Sequence, residues 1–264
     1  MLRACPPLAL LVFLTACPNA TPNEEDKPTT GEVPAGTFSM GCNEAVDSDC
    51  DTREYPYHEV TLSAFEIDKR EVSVAEYRAC VNDGACTEPP VCASLCNWGA
   101  GDREDYPINN INWHQANAYC AWSGKRLCTE AEWEKAARGD DGRLFPWGND
   151  ALSCDRAVMD AGGGAGCGRG GTLPVGSKPD GNSPYGMSDM VGNVWEWVAD
   201  YYSSTSYQTC ASGCSDPTGP ASGEFRIMRG GCFVNSSAAN LRASTRVGFR
   251  ANFADDGVGV RCCK

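Results

Sequence analysis

The stretch GMSDMVGNVWEWVAD, residues 186–200, sets two tryptophans, Trp195 and Trp197, beside three carboxylates, Asp189, Glu196 and Asp200. From Val194 onward the pattern alternates. It predicts an extended segment with Trp195 and Trp197 on one face and Val194, Glu196 and Val198 on the other. A carboxylate on an otherwise apolar face needs a cation, an arginine or exposure. Asp189, Gly192 and Asn193 lie just upstream in an expected turn. Carboxylates together with turn carbonyls are the donors that calcium takes. Pairing of Glu196 with a buried arginine is the competing solution.

Working outward, the chain has 264 residues and a net charge of −13. That length can bury one large core. The acidity excludes nucleic acid as an expected partner. At the N-terminus, Arg3 precedes the apolar run Leu8–Leu14, followed by Leu14-Thr15-Ala16-Cys17. The run is too short to span a bilayer but suits a signal peptide, residues 1–16. Leu-Thr-Ala-Cys resembles a bacterial lipobox, which implies a lipid on Cys17 and membrane attachment in the bacterial envelope. Residues 17–32 are rich in Pro, Thr, Asn and acids and read as a flexible tether. Residues 33–264 read as one domain.

The chain carries 17 cysteines. In an exported protein these read as disulfides rather than zinc ligands, the more so with only two histidines, His58 and His114. Close spacing predicts local pairs Cys42–Cys50, Cys80–Cys86, Cys92–Cys96, Cys154–Cys167 and Cys210–Cys214. With Cys5 lost and Cys17 lipidated, the remainder is odd, so at least one thiol stays free or pairs between molecules.

Capping-box spacing starts three helices, at Ser73, Asn112 and Thr129, and Gly84, Gly124 and Gly139 end them. Strands are expected at Val33–Gly41, Val60–Ile67, Phe225–Gly231 and Gly257–Cys263. The glycine-rich run 161–171 lacks the flanking strand and helix of a phosphate loop and reads as surface loop.

Four motifs then stand in order: VPAGTFSMG (33–41); NINWHQANAYCAWSGKRLCTEAEWEKAARG (110–139) with FPWG (145–148); YGMSDMVGNVWEW (185–197); and RIMRGGCF (226–233) followed by GVGVRCC (257–263). Together they resemble the sulfatase-modifying factor, or formylglycine-generating enzyme, family over about residues 33–264. The resemblance implies an α+β fold, a disulfide-rich variant of the C-type lectin fold with little regular structure. It implies a disulfide between Cys120 and Cys262, which closes a very long loop and so stabilises by chain entropy. It implies calcium on the side chains of Asp189 and Glu196 and the carbonyls of Gly192 and Val194. A second family calcium site is degraded, with Val158 where Asn is expected and Gly166-Cys167-Gly168 where an aspartate is expected.

The departure lies after the Gly230-Gly231 turn. Active members of the family hold copper with two cysteines and use it to oxidise a sulfatase cysteine. Here Asn235 and Asn240 occupy those positions, and no cysteine lies between Cys232 and Cys262. Soft thiolates suit Cu(I) and amides do not, so copper is not expected. Cys232 and Cys128 stand where the family usually has Ser and Pro, and they are expected to pair with each other. A lone reactive Cys232 is the alternative. Histidines are too few for the iron sites of related enzymes.

The expectation is therefore a lipid-anchored, non-catalytic module binding an envelope protein, peptide or glycan. Cys232, Asn235, Ser236, Ser237 and Asn240 would line its candidate groove. The alternatives are an oxidase producing formylglycine, or another oxidoreduction, in that groove, and a purely structural envelope protein.

Overall fold

The computed structural model describes residues 29–92 and 94–264. The lipidation expected at Cys17, and the leader before it, lie outside the described residues. Among the described residues no helix is long and apolar enough to cross a membrane.

The chain runs β1 (Thr30–Val33), β2 (Gly36–Met40), β3 (His58–Leu62), β4 (Phe65–Asp68), α1 (Val74–Asn82), α2 (Trp113–Trp122), β5 (Arg126–Leu127), α3 (Glu130–Arg138) and α4 (Ala165–Gly168). It continues through β6 (Trp195–Tyr201), α5 (Ser206–Thr209), β7 (Cys214–Ser215), β8 (Phe225–Arg229), α6 (Ala238–Leu241), β9 (Arg246–Arg250), β10 (Val258–Gly259) and β11 (Cys262–Cys263). Three small sheets result, in the orders β1-β4-β11-β5, β10-β6-β8-β9 and β2-β3-β7. This is the α+β, disulfide-rich architecture expected.

β1 starts at Thr30, ahead of the Val33 expected for the first strand, and pairs antiparallel with β4 from Thr30↔Asp68 to Val33↔Phe65. The two segments predicted as single strands each break once. Pro34, which has no N–H to give a ladder, separates β1 from β2, and Ser63-Ala64 separates β3 from β4. Each segment thereby serves two sheets, β1 with β4 and β2 with β3.

All three capping boxes form. Ser73, Asn112 and Thr129 each accept from the backbone N–H three residues on, and Glu76, Gln115 and Glu132 reach back to the cap. α2 and α3 pack on β6, and α1 packs on α2; β6 lies between two hydrophobic clusters. Val198 faces the cluster containing Trp133 and Met190, while Trp197 faces the one containing Tyr77, Tyr119 and Cys120.

The five local disulfides form as spaced, and Cys120–Cys262 forms as the resemblance implied. The Cys128–Cys232 pairing does not. Cys128 bonds Cys263, and Cys232 is a free, buried thiol. The pleat explains this. Successive side chains of β11 point to opposite faces, so Cys262 joins the cluster of Cys120 and Cys263 that of Cys128. Cys232 packs in a separate small cluster with Val158 and Phe233.

Candidate functional site

Two places carry the expected chemistry, and the Gly230-Gly231 turn stands between them. Gly192 N–H donates to the Gly230 carbonyl at 2.9 Å, tying the central motif to that turn. Gly231 (φ +76°) could not carry a side chain, since a Cβ there would meet the Asn240 carbonyl oxygen at 2.6 Å. The turn is thus in direct contact with Asn240 and Asn235, the residues expected at the family's cysteine positions.

Those residues are occupied with the backbone. Asn235 Oδ1 accepts from Cys232 N–H at 2.8 Å, and Asn235 N–H donates to the Cys232 carbonyl at 2.9 Å. Ser237 caps α6 by accepting from Ala239 N–H, while Ser236 and Asn240 are exposed. Cys232 is only 4% exposed, and burial pushes its thiol up to about 11. At neutral pH it is a thiol and not a thiolate, which argues against a reactive Cys232. The segment is a self-bonded turn. Four cavities of 500–590 Å³ among the described residues are lined by other residues.

The second place is the buried acid cluster at the start of β6. Glu196 is fully buried and forks onto Arg261, with Arg261 Nε and Nη2 each 2.7 Å from a carboxylate oxygen. Trp133 Nε1–H donates to the same carboxylate at 2.6 Å. The extended segment and the inward-facing carboxylate are as read from the alternation, and its charge is met by an arginine. Arg261 also donates to the carbonyls of Asp68 and Ser188, which fixes the planar guanidinium.

Asp189 is different. Its Oδ2 accepts from Gly176 N–H at 2.5 Å, but its Oδ1 is buried with no hydrogen-bond partner. Burial raises its carboxyl to about 6, offset partly by the Gly176 N–H. Asp189 and Asn193 both have positive φ, 54° and 56°, so the turn is held in the left-handed region that Asp and Asn tolerate. Gly192 (φ +85°) is needed there, because a Cβ would lie 2.5 Å from the Val158 carbonyl oxygen.

Sequence reasoning missed Glu71. It is fully buried, accepts from Asn193 Nδ2 at 2.6 Å and from Val194 N–H at 3.2 Å, and so clamps the turn. Burial raises its pKa well above the usual range, and Asp189 and Glu196 add to the shift. Lys69-Arg70-Glu71 reads locally as a solvated charged turn, and no sequence signal places it 122 residues away against Asn193. Of the four expected calcium donors, Asp189 fits a cation well, since a buried oxygen without a partner wants one. Glu196 fits less well, since Arg261 and Trp133 already occupy both its oxygens. Among the described residues Cys232 is the one free cysteine, and it is buried.

With this geometry in view, the comparisons are consistent. Residues 17–264 match the model of the sulfatase-modifying factor enzyme 1-like domain. The chain belongs to the sulfatase-modifying factor family. It is 31% identical to "Inactive C-alpha-formylglycine-generating enzyme 2" of Mus musculus, over 97% of this chain and 92% of that one. It is 32% identical to "Formylglycine-generating enzyme" of Thermomonospora curvata, over 93% and 96%. Among solved structures, PvdO from Pseudomonas aeruginosa aligns with TM-score 0.74 and 26% identity, covering 90% of this chain and 95% of that one. Family members of both descriptions therefore share this frame, and the difference must be sought in the site.

Proposed function

We propose that this family member is a non-catalytic, lipid-anchored binding protein of the bacterial envelope, attached through Cys17, whose loops present a surface to an envelope protein, peptide or glycan. The observation that carries this reading is the residue chemistry of the turn, amides where the family's cysteines are expected. Asn235 and Asn240 replace both thiols, Asn235 is bonded to its own turn, and the nearby Cys232 is buried and protonated. A similar relative is described as inactive. The test is co-expression with a peptide bearing a Cys-x-Pro-x-Arg sulfatase sequence, followed by mass spectrometry and Cu(I) titration. The expected result is no aldehyde and no tight cuprous binding. Conversion that disappears in Cys232→Ser would establish an oxidase instead.

The proposal includes calcium in a structural role at Asp189, with the carbonyls of Gly192 and Val194 completing the donors. Glu196 contributes charge across its ion pair with Arg261. The ion would supply positive charge to a turn holding Glu71 and Asp189, and so stiffen the frame behind the loops. Calcium at 100 times its Kd should stabilise by about 2.7 kcal/mol, or roughly 5–10 °C in Tm for a domain of this size. Thermal unfolding in calcium and in chelator should show that gap in the wild type and not in Asp189→Ala. Identical melting curves in the wild type would remove calcium from the account.

A further inference from the structure

A cavity of about 520 Å³ lies away from both places described above, between β3, the end of β6, α5 and the loop 217–220. Its walls are largely apolar, with Met40, Tyr201, Pro217 and Pro220 among them. Two polar groups on its wall are buried and incompletely bonded. Asp200 is 4% exposed; its Oδ2 accepts from Glu130 N–H at 2.8 Å, and among the described residues its Oδ1 has no partner. His58 is 6% exposed. Its Nδ1 lies 2.7 Å from the Pro56 carbonyl, an acceptor, so Nδ1 carries a proton, and in the uncharged tautomer this fixes, Nε2 is an acceptor. Nε2 has no partner among the described residues.

The neighbouring charges are already matched. Glu130 is taken by Arg246 and Arg229, and Arg229 also holds Glu134. Asp200 is therefore the unneutralised acid on the wall. Space beside it is kept open by Gly219 (φ +68°), where a Cβ would stand 2.8 Å from Asp200 Oδ1. The wall is also rigid. Cys210–Cys214 closes the loop after α5, β7 pairs with β3, and His58 packs on Tyr207 at 4.9 Å between ring centroids.

We infer that this cavity is a binding site for a small primary amine with an apolar or aromatic body, its ammonium held by Asp200 and His58. An ammonium has three donors and no acceptor, matching a wall that carries both of these acceptors. The walls suit an apolar body. Burial, with Glu130 adding to it, raises the Asp200 carboxyl to about 7, and a bound cation draws it into the charged form. The inference is independent of segment 232–240, so the aldehyde assay and this one can fail separately.

The experiment is calorimetric titration of the full chain with 2-phenylethylamine, tyramine and cadaverine, using 2-phenylethanol as the neutral counterpart. At least one amine should bind, and 2-phenylethanol should bind at least tenfold more weakly. Asp200→Asn keeps an acceptor for Glu130 N–H and should weaken the amine at least tenfold. Gly219→Ala, which crowds Oδ1 from an exposed loop, should do the same, and it decides the question if Asp200→Asn does not fold. Absence of binding by all three amines, equal binding of 2-phenylethanol, or unchanged affinity in the folded variants overturns the inference.

Discussion

Removing both long-range disulfides, Cys120–Cys262 and Cys128–Cys263, should destabilise the protein by about 7–8 kcal/mol, while removing either alone should cost only about 2–3 kcal/mol. The two bridges span 142 and 135 residues and end on adjacent residues of β11. The first to close removes the entropy of a very long loop, worth about 5 kcal/mol. With that bridge in place, the second closes a ring of only about ten residues and adds about 2.6 kcal/mol. Loss of both approaches the whole stability of an ordinary domain, about 5–15 kcal/mol, so the doubly reduced chain should be largely unfolded. Urea unfolding of the paired Cys→Ala variants checks this. A single-bridge loss as large as half the double loss would contradict the shared-loop account.

Arg261→Met is expected to cost about 3–5 kcal/mol, the penalty of leaving a buried carboxylate without its partner. The side chain is 1% exposed and is forked onto Glu196, while Glu71 and Asp189 add negative charge to the same pocket. Two carbonyls, of Asp68 and Ser188, lose a donor as well. Glu196→Met should be milder, because the arginine still has the charges of Glu71 and Asp189 nearby, whereas Arg261→Met takes the bonded cation from Glu196 and the neighbouring positive charge from Glu71 and Asp189. Adding Glu196→Met to Arg261→Met should therefore recover part of the loss, a coupling that a double-mutant cycle in urea measures directly. Equal single effects with no coupling would mean that the cluster is not held by this pair.

Much of the frame is legible in the sequence because its signals are local. Ser73, Asn112 and Thr129 each sit three residues before Glu or Gln, and the caps depend on nothing further away. The alternation from Val194 to Val198 fixed which side of β6 each residue faces. The five short-range disulfides followed from spacing alone. The strand breaks at Pro34 and Ser63-Ala64 were harder, since a continuous alternating run does not reveal that its two ends join different sheets.

Of the candidate site, the inward-facing Glu196 was legible from the alternation, and the side-chain chemistry of Asn235 and Asn240, amides and not thiols, is plain in any fold. Glu71 could not be found, because its partners Asn193 and Val194 come to it through tertiary packing. The partner of Cys128 was misassigned for the same reason. Three cysteines, at 128, 232 and 263, had chemically equivalent claims, and only the pleat of β11 brings Cys263 to Cys128, with Cα atoms 4.8 Å apart.

The sequence by itself determined the family frame, the helix starts and the local bridges. Each of these rests on residue identity or on neighbours within a few positions. The tertiary structure alone decided that Arg261 answers Glu196, that Asp189 keeps an unbonded oxygen, and that Asp200 and His58 face one cavity. Charge pairing and burial depend on distances through space, which a one-dimensional order of residues does not contain.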